Sequence, residues 1–207
     1  AQGQNVTFDH ITIRDGLSQS SVFTILQDRQ GFMWFGTEDG LNRYDGYRFV
    51  TYKNDPECPT SLSYNYIKAI LEDSSGTLWV GTYGGGLNRF NPATNDFACH
   101  RKAEGKADSL CNDQVTVLCE DSRGSIWVGT ENGLSRMDRE TGQFTSYRVD
   151  PAGAHGLNGN AITALVEDRS GRLWVGTADR GISLYDRFTD QFHHYDLEPS
   201  GLSGLGA

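Results

Sequence analysis

The chain has 207 residues, with 27 acidic against 18 basic side chains and a formal charge of −9, and its Lys and Arg are scattered singly. A duplex nucleic acid is bound through a basic face that releases counterions, so a nucleic-acid partner is excluded. No apolar run approaches the roughly 18 residues of a membrane-spanning helix, so this segment is not expected to insert into a bilayer.

The polar start, Ala1 to Asn5, lacks an initiator Met and fits a mature end left by signal-peptide removal. Val6 to Ile13 then alternates apolar and polar residues as a half-buried strand would, and resembles Phe192 to Leu197 near the other end. It reads as a last strand without a unit of its own, within a lead-in of residues 1–20. Gly16-Leu17-Ser18 marks a crossing, and Val22 to Leu26 is so continuously apolar that it predicts an inner strand buried on both faces. The turn Asp28 to Gly31 follows, where the aspartate can accept turn amides and the glycine supplies a positive φ. A strand carrying Trp34, a third from Gly40 to Asp45 and a more polar fourth from Tyr47 to Lys53 complete the unit.

The same grammar returns three times. Gly31-Phe32-Met33-Trp34-Phe35-Gly36-Thr37 is matched by Gly76-Thr77-Leu78-Trp79-Val80-Gly81-Thr82, Gly124-Ser125-Ile126-Trp127-Val128-Gly129-Thr130 and Gly171-Arg172-Leu173-Trp174-Val175-Gly176-Thr177. The tryptophans are 45, 48 and 47 residues apart, and six residues before each stands an aspartate: Asp28, Asp73, Asp121 and Asp168. Four short antiparallel strands per repeat describe a β-propeller blade, in which the indole fills the space between blades and the glycine lets a neighbouring chain approach. The expected architecture is all-β, with blades at 21–60, 61–108, 109–155 and 156–200, and the start of a further blade at 201–207. Four blades of a larger ring would leave two apolar blade faces uncovered, which a homodimer could bury head to tail.

Gly31 to Thr37 followed by Gly40-Leu41-Asn42-Arg43-Tyr44-Asp45 resembles the two-component regulator propeller repeat, and the resemblance extends over all four units. It implies the periplasmic sensor region of a bacterial hybrid histidine kinase or diguanylate cyclase, built as a seven-bladed ring of which this would be an N-terminal piece. It also implies a saccharide or other small ligand, or neighbouring sensor domains, as partners, with kinase or cyclase output elsewhere in the protein.

The residues themselves point to no catalysis. Four equivalent aspartates at equal spacing are turn formers rather than an acid–base pair, since an active site is asymmetric. The five histidines have no metal-ligand spacing, no phosphate-loop or dinucleotide fingerprint occurs, and no metal or cofactor is expected. Cys58, Cys99, Cys111 and Cys119 lack zinc spacing; Cys119 reads as a buried thiol, and one disulfide among the other three is open to the chain in an oxidising compartment. Ligand contacts are sought where the copies differ, at the crossings and the turns between second and third strands, which share one end of a propeller. These positions carry Glu38, Asp39, Tyr64, Asn65, Tyr66, Tyr83, Asn112, Asp113, Glu131, Asn132, Asp179 and Arg180. Aromatics beside amides and carboxylates suit a polyhydroxylated ligand, and the three tyrosines of the second unit make that edge the leading candidate. Two other readings stay open: a scaffold whose loops bind proteins, and a carbohydrate-active enzyme.

Overall fold

The computed structural model describes residues 8–150 and 156–195. Its strands form four antiparallel sheets, each taking four consecutive strands in chain order. The first holds β1 (Val22–Gln27), β2 (Met33–Thr37), β3 (Gly40–Tyr44) and β4 (Phe49–Tyr52). The second holds β5 (Ile67–Glu72), β6 (Leu78–Thr82), β7 (Gly86–Asn91) and β8 (Asp96–His100). The third holds β9 (Val115–Glu120), β10 (Ile126–Thr130), β11 (Gly133–Met137) and β12 (Phe144–Tyr147), and the fourth β13 (Ile162–Glu167), β14 (Leu173–Thr177), β15 (Ile182–Asp186) and β16 (Gln191–Tyr195). This is the propeller-blade architecture that the repeat predicts.

Each Asp-x-x-Gly turn is closed by one carboxylate that serves two purposes. Oδ1 of Asp28 accepts the backbone N–H groups of Gln30 and Phe32, both at 2.9 Å, while Oδ2 accepts the indole N–H of Trp34 at 2.7 Å. The pattern recurs unchanged, with indole bonds of 2.9 Å at Asp73, 2.8 Å at Asp121 and 2.9 Å at Asp168. The turn is thereby tied to the middle of the next strand, and the one polar atom of the indole is satisfied before the ring is buried.

Burial then occurs between sheets. Trp34 and Leu41 pack against Leu62 of the crossing and Ile67, Val80, Phe90 and Phe97 of the second sheet. Trp79 and Leu87 meet Leu110, Val115, Val128 and Phe144, and Trp127 and Leu134 meet Leu157, Ile162, Val175 and Phe192. The glycine two residues after each tryptophan makes room for this: a Cβ on Gly129 would lie 2.7 Å from Ile162 Cγ2 and one on Gly81 2.5 Å from Val115 Cγ1, closer than any side chain allows. At Gly176, among the described residues, the atoms nearest an added Cβ belong to Thr163 and Ala164 of the same blade. Among the described residues no core cluster joins the fourth sheet to the first. Val166, Ile182 and Tyr195 on the fourth are accordingly exposed, and Trp174 is only half-buried.

Three expectations are corrected. Phe8 to Thr12 has no regular structure and Ile13–Asp15 is a single 3-10 turn, capped by reciprocal bonds between Thr12 and Asp15; Val6 and Thr7 lie outside the described residues. With no strand beside it the segment gains nothing from extension, and Phe8 and Ile13 stay exposed. The inner strands of the two middle blades, β5 and β9, have no exposed residue, as expected, but those of the end blades do: β1 alternates, with Phe23 and Ile25 exposed, and β13 exposes Val166, because among the described residues no further sheet packs on those outer faces. The four cysteines are free thiols, with Cys58 and Cys99 exposed, Cys111 buried and Cys119 half-buried. Cys111 occupies the place of Ser18 and Ser63, its backbone N–H bonded to Ser135 Oγ as theirs are to Asn42 and Asn88. The Gly201-Leu202-Ser203 crossing lies outside the described residues.

Two outcomes follow from this packing. Trp127→Ala is expected to lower unfolding stability by about 3–5 kcal/mol, the usual range for a fully buried aromatic, and Trp174→Ala by less than half as much, read from urea midpoints. Acid should also act through the turn carboxylates. At Asp73 burial raises the pKa, but bonds from Ser75, Trp79 and Thr77 outweigh it and hold the group below its ordinary 3.8. At Asp168 the Trp174 indole is the leading cause of a still lower value. A depressed carboxylate stabilises the fold above its unfolded pKa and loses that contribution as pH falls through the folded one. The urea midpoint should therefore fall below about pH 4, and the gap between wild type and Asp73→Asn should narrow there.

Candidate functional site

Every first strand carries one extra residue. Val22 pairs with Thr37 and Thr24 with Gly36, leaving Phe23 unpaired; Lys68 is left out in the same way between Ile67 and Ala69, Thr116 between Val115 and Val117, and Thr163 between Ile162 and Ala164. Such a bulge re-aims its side chain out of the sheet's alternation. Four bulges at equivalent positions set Phe23, Lys68, Thr116 and Thr163 along the inner edge of the arc.

At the first two blades these side chains meet residues of the neighbouring turns. The Phe23 and Tyr66 rings lie 4.9 Å apart and Tyr66 and Tyr83 5.4 Å, so three rings run in series. The Lys68 ammonium lies over all three, at 4.5 Å from Phe23, 5.1 Å from Tyr66 and 5.8 Å from Tyr83. Cation–π attraction holds it there, and among the described residues no carboxylate pairs with it. The Tyr83 hydroxyl donates to Glu131 Oε1 at 3.2 Å, carrying the ladder on to the third blade. Partial desolvation and then the Glu131 charge raise the Tyr83 pKa, so its phenol remains a donor at neutral pH.

Of the residues singled out by sequence, Tyr66, Tyr83 and Glu131 are brought together. Tyr64 stands beside them, exposed, its ring over Gly84, where an added Cβ would lie 3.2 Å away. Asn65 and Asp113 are engaged in holding blades together. The Asn65 carbonyl accepts Gly40 N–H at 2.8 Å and its side chain Asn54 N–H at 2.7 Å. Asp113 likewise takes Gly84 and Gly86 at its carbonyl and Lys102 N–H on its carboxylate at 2.7 Å. Asn112 caps its own turn through Gln114 N–H, and Asn132 is exposed, its carbonyl accepting Arg148. Asp39 pairs with Lys53 at 2.6 Å, and Glu38 is exposed beside it. Asp179 and Arg180 pair loosely at 3.6 Å on the fourth blade, where they line a separate cavity of 460 Å³ with Thr163 and Ala178.

Phe23 and Lys68 were missed because they sit inside runs that read as core. The signal was nonetheless present: Phe, Lys, Thr and Thr at one position of four near-identical strands vary as a core position does not. Among the described residues no group of His, Cys, Asp and Glu is placed to hold a metal ion, and no helix is long and apolar enough to cross a membrane.

Comparison with known proteins agrees with this architecture. The family model for the two component regulator propeller matches residues 16–39, 61–84, 109–132 and 156–179. A curated relative, histidine kinase P4 of Formosa agariphila, is 54% identical over 63 residues, which are 30% of this chain and 5% of that kinase. Among solved structures, the extracellular domain of the hybrid two component system BT3049 from B. thetaiotaomicron is similar with a TM-score of 0.82 at 30% identity, covering 90% of this chain and 26% of that one. Virginiamycin B lyase from Staphylococcus aureus, at 16% identity and a TM-score of 0.62 over 88% of this chain and 58% of its own, shares the fold alone. This chain spans a small part of the kinase and about a quarter of the extracellular domain. The four matched segments are two component regulator propeller repeats.

Proposed function

We propose that these repeats belong to the extracytoplasmic, periplasmic sensor of a bacterial receptor, and that they bind a saccharide on the inner rim between the first and third blades. The observation that carries this reading is the Phe23–Tyr66–Tyr83 ladder with the Lys68 ammonium among its rings, paired with no carboxylate among the described residues. Ring faces take the apolar faces of pyranose units, and Glu131 accepts a hydroxyl. The cation favours a sugar bearing a carboxylate or sulfate. Similarity to a histidine kinase and to the extracellular domain of a hybrid two component system supports placing the binding event outside the cytoplasm, with kinase or cyclase output in another part of a longer protein. The bonds of the four turn aspartates to backbone and indole favour a non-catalytic role for the segment.

A second reading rests on the exposed Val166, Ile182 and Tyr195 of the fourth blade. In it these apolar faces dock neighbouring sensor domains or a second copy, and the loops bind no small molecule.

Thermal melting in a panel of uronate-containing, sulfated and neutral oligosaccharides separates the two. A ligand at a hundred times its Kd should add about 2.7 kcal/mol and raise the melting temperature by several degrees. That shift should disappear in Lys68→Ala and in Tyr66→Ala. A melting temperature that no member of the panel moves, together with tight self-association or partner capture, would favour the second reading.

A further inference from the structure

At the opposite end of the blades an arginine follows the third strand of the last two sheets. Arg139 Nη1 lies 3.0 Å from Glu120 Oε1, on its own blade, and 3.4 Å from Asp73 Oδ2, the turn carboxylate of the preceding one. Arg187 repeats this one interface on, pairing with Glu167 and lying 3.4 Å from Asp121 Oδ2. One guanidinium is thus held between a turn aspartate and an inner-strand glutamate at two of the three blade interfaces.

The first interface has both carboxylates and no such arginine. Asp28 and Glu72 stand where Asp73 and Glu120 stand, but the arginine's place is taken by Pro92, which carries no donor. A cavity of 380 Å³ opens there, lined by Asp28, Phe32, Trp34, Glu72, Phe90 and Pro92. Glu72 differs from its counterparts in what it receives. Glu120 Oε1 accepts Ser74 Oγ at 2.5 Å as well as Arg139, and Glu167 Oε1 accepts Ser122 Oγ at 2.8 Å as well as Arg187. Glu72 Oε2 accepts Arg29 N–H at 3.0 Å, and among the described residues Oε1 accepts no bond.

Other cations near the cavity do not fill the place. The Arg29 guanidinium is spent on the carbonyls of Ser74 and Asp73, at 2.9 and 3.1 Å. Arg43 lies over Phe32 at 4.8 Å and over Trp34 at 5.8 Å, and it lines the cavity together with Arg89 of the second blade. Among the described residues none of these guanidinium groups forms an ion pair with Asp28 or Glu72.

We infer that this cavity binds a small organic cation of the guanidine class, its head between Asp28 and Glu72 where the other interfaces hold the chain's own guanidinium. The body of the ligand would lie against Phe32, Trp34 and Phe90, and the volume is that of a small-molecule site.

Calorimetric titration with methylguanidinium at constant ionic strength tests this. Saturable binding is expected, weakened by about tenfold or more in Glu72→Gln, as for a lost charge-assisted bond. Pro92→Arg should abolish it by supplying a tethered guanidinium, and should raise the urea midpoint. Tyr66→Ala should leave it unchanged, so the saccharide rim and this cavity stand or fall separately. Absence of saturable binding to the wild type, or binding that survives Glu72→Gln intact, overturns the inference.

Discussion

The bond from a turn carboxylate to an indole N–H is the interaction on which the rest depends. Each of the four aspartates closes a hairpin with one oxygen and fixes a tryptophan with the other, at 2.7 to 2.9 Å. Only with that N–H satisfied can the ring enter an apolar interface without leaving a buried donor unpaired. The indole then sets the spacing between sheets, and the glycine after it sets how closely the next inner strand can lie. A blade has no closed core of its own, because its tryptophan is buried by residues that arrive one repeat later. That is why Trp34, Trp79 and Trp127 are buried and Trp174, chemically equivalent, is not.

Polar ties run parallel to this apolar stacking at both ends of the blades. On one end the carbonyls of Asn65, Asp113 and Asn160 reach back to the glycines that open the preceding blade's third strand. On the other, Glu120 and Glu167 receive both the backbone N–H and the hydroxyl of a serine in the preceding turn. These bonds contribute modestly one by one, but they fix the rotation of each blade on its neighbour, which apolar contact alone leaves loose. Asn65 and Asp113 resemble ligand-binding residues in sequence because the same chemistry that grips a hydroxyl also grips a backbone amide.

The repeat, its strands and its turn residues were legible in the sequence because local chemistry dictates them. Glycine at the positive-φ turn position, aspartate at its start and a tryptophan at constant spacing leave little freedom. Two features were not legible. A strand pattern such as Val6 to Ile13 states only which side chains alternate, and extension also requires a neighbour to pair with, which no local signal supplies. A bulge is equally silent: Phe23 and Lys68 continue an apolar run by position, and only the register against Gly36 and Gly81 shows that they leave the sheet. The candidate rim was therefore found by half, its turn tyrosines from their variation and its strand residues from pairing alone.

The departures from strict repetition are concentrated where the second blade meets its neighbours. On one end this junction carries three aromatic rings and a lysine where the third and fourth blades have threonines at the bulge. On the other it lacks the arginine clasp that both later interfaces possess, and has Arg29 where they have Ser74 and Ser122. A repeat scaffold supplies the same stabilising contacts at every interface, so replacing a clasp by Pro92 and a cavity gives up ion pairs that the fold could have had. Stability accounts for what the interfaces share; it offers no reason for two unlike exceptions at opposite ends of one junction. The two proposed ligand sites would supply one, because a ligand requires an environment that its neighbours along the arc do not duplicate.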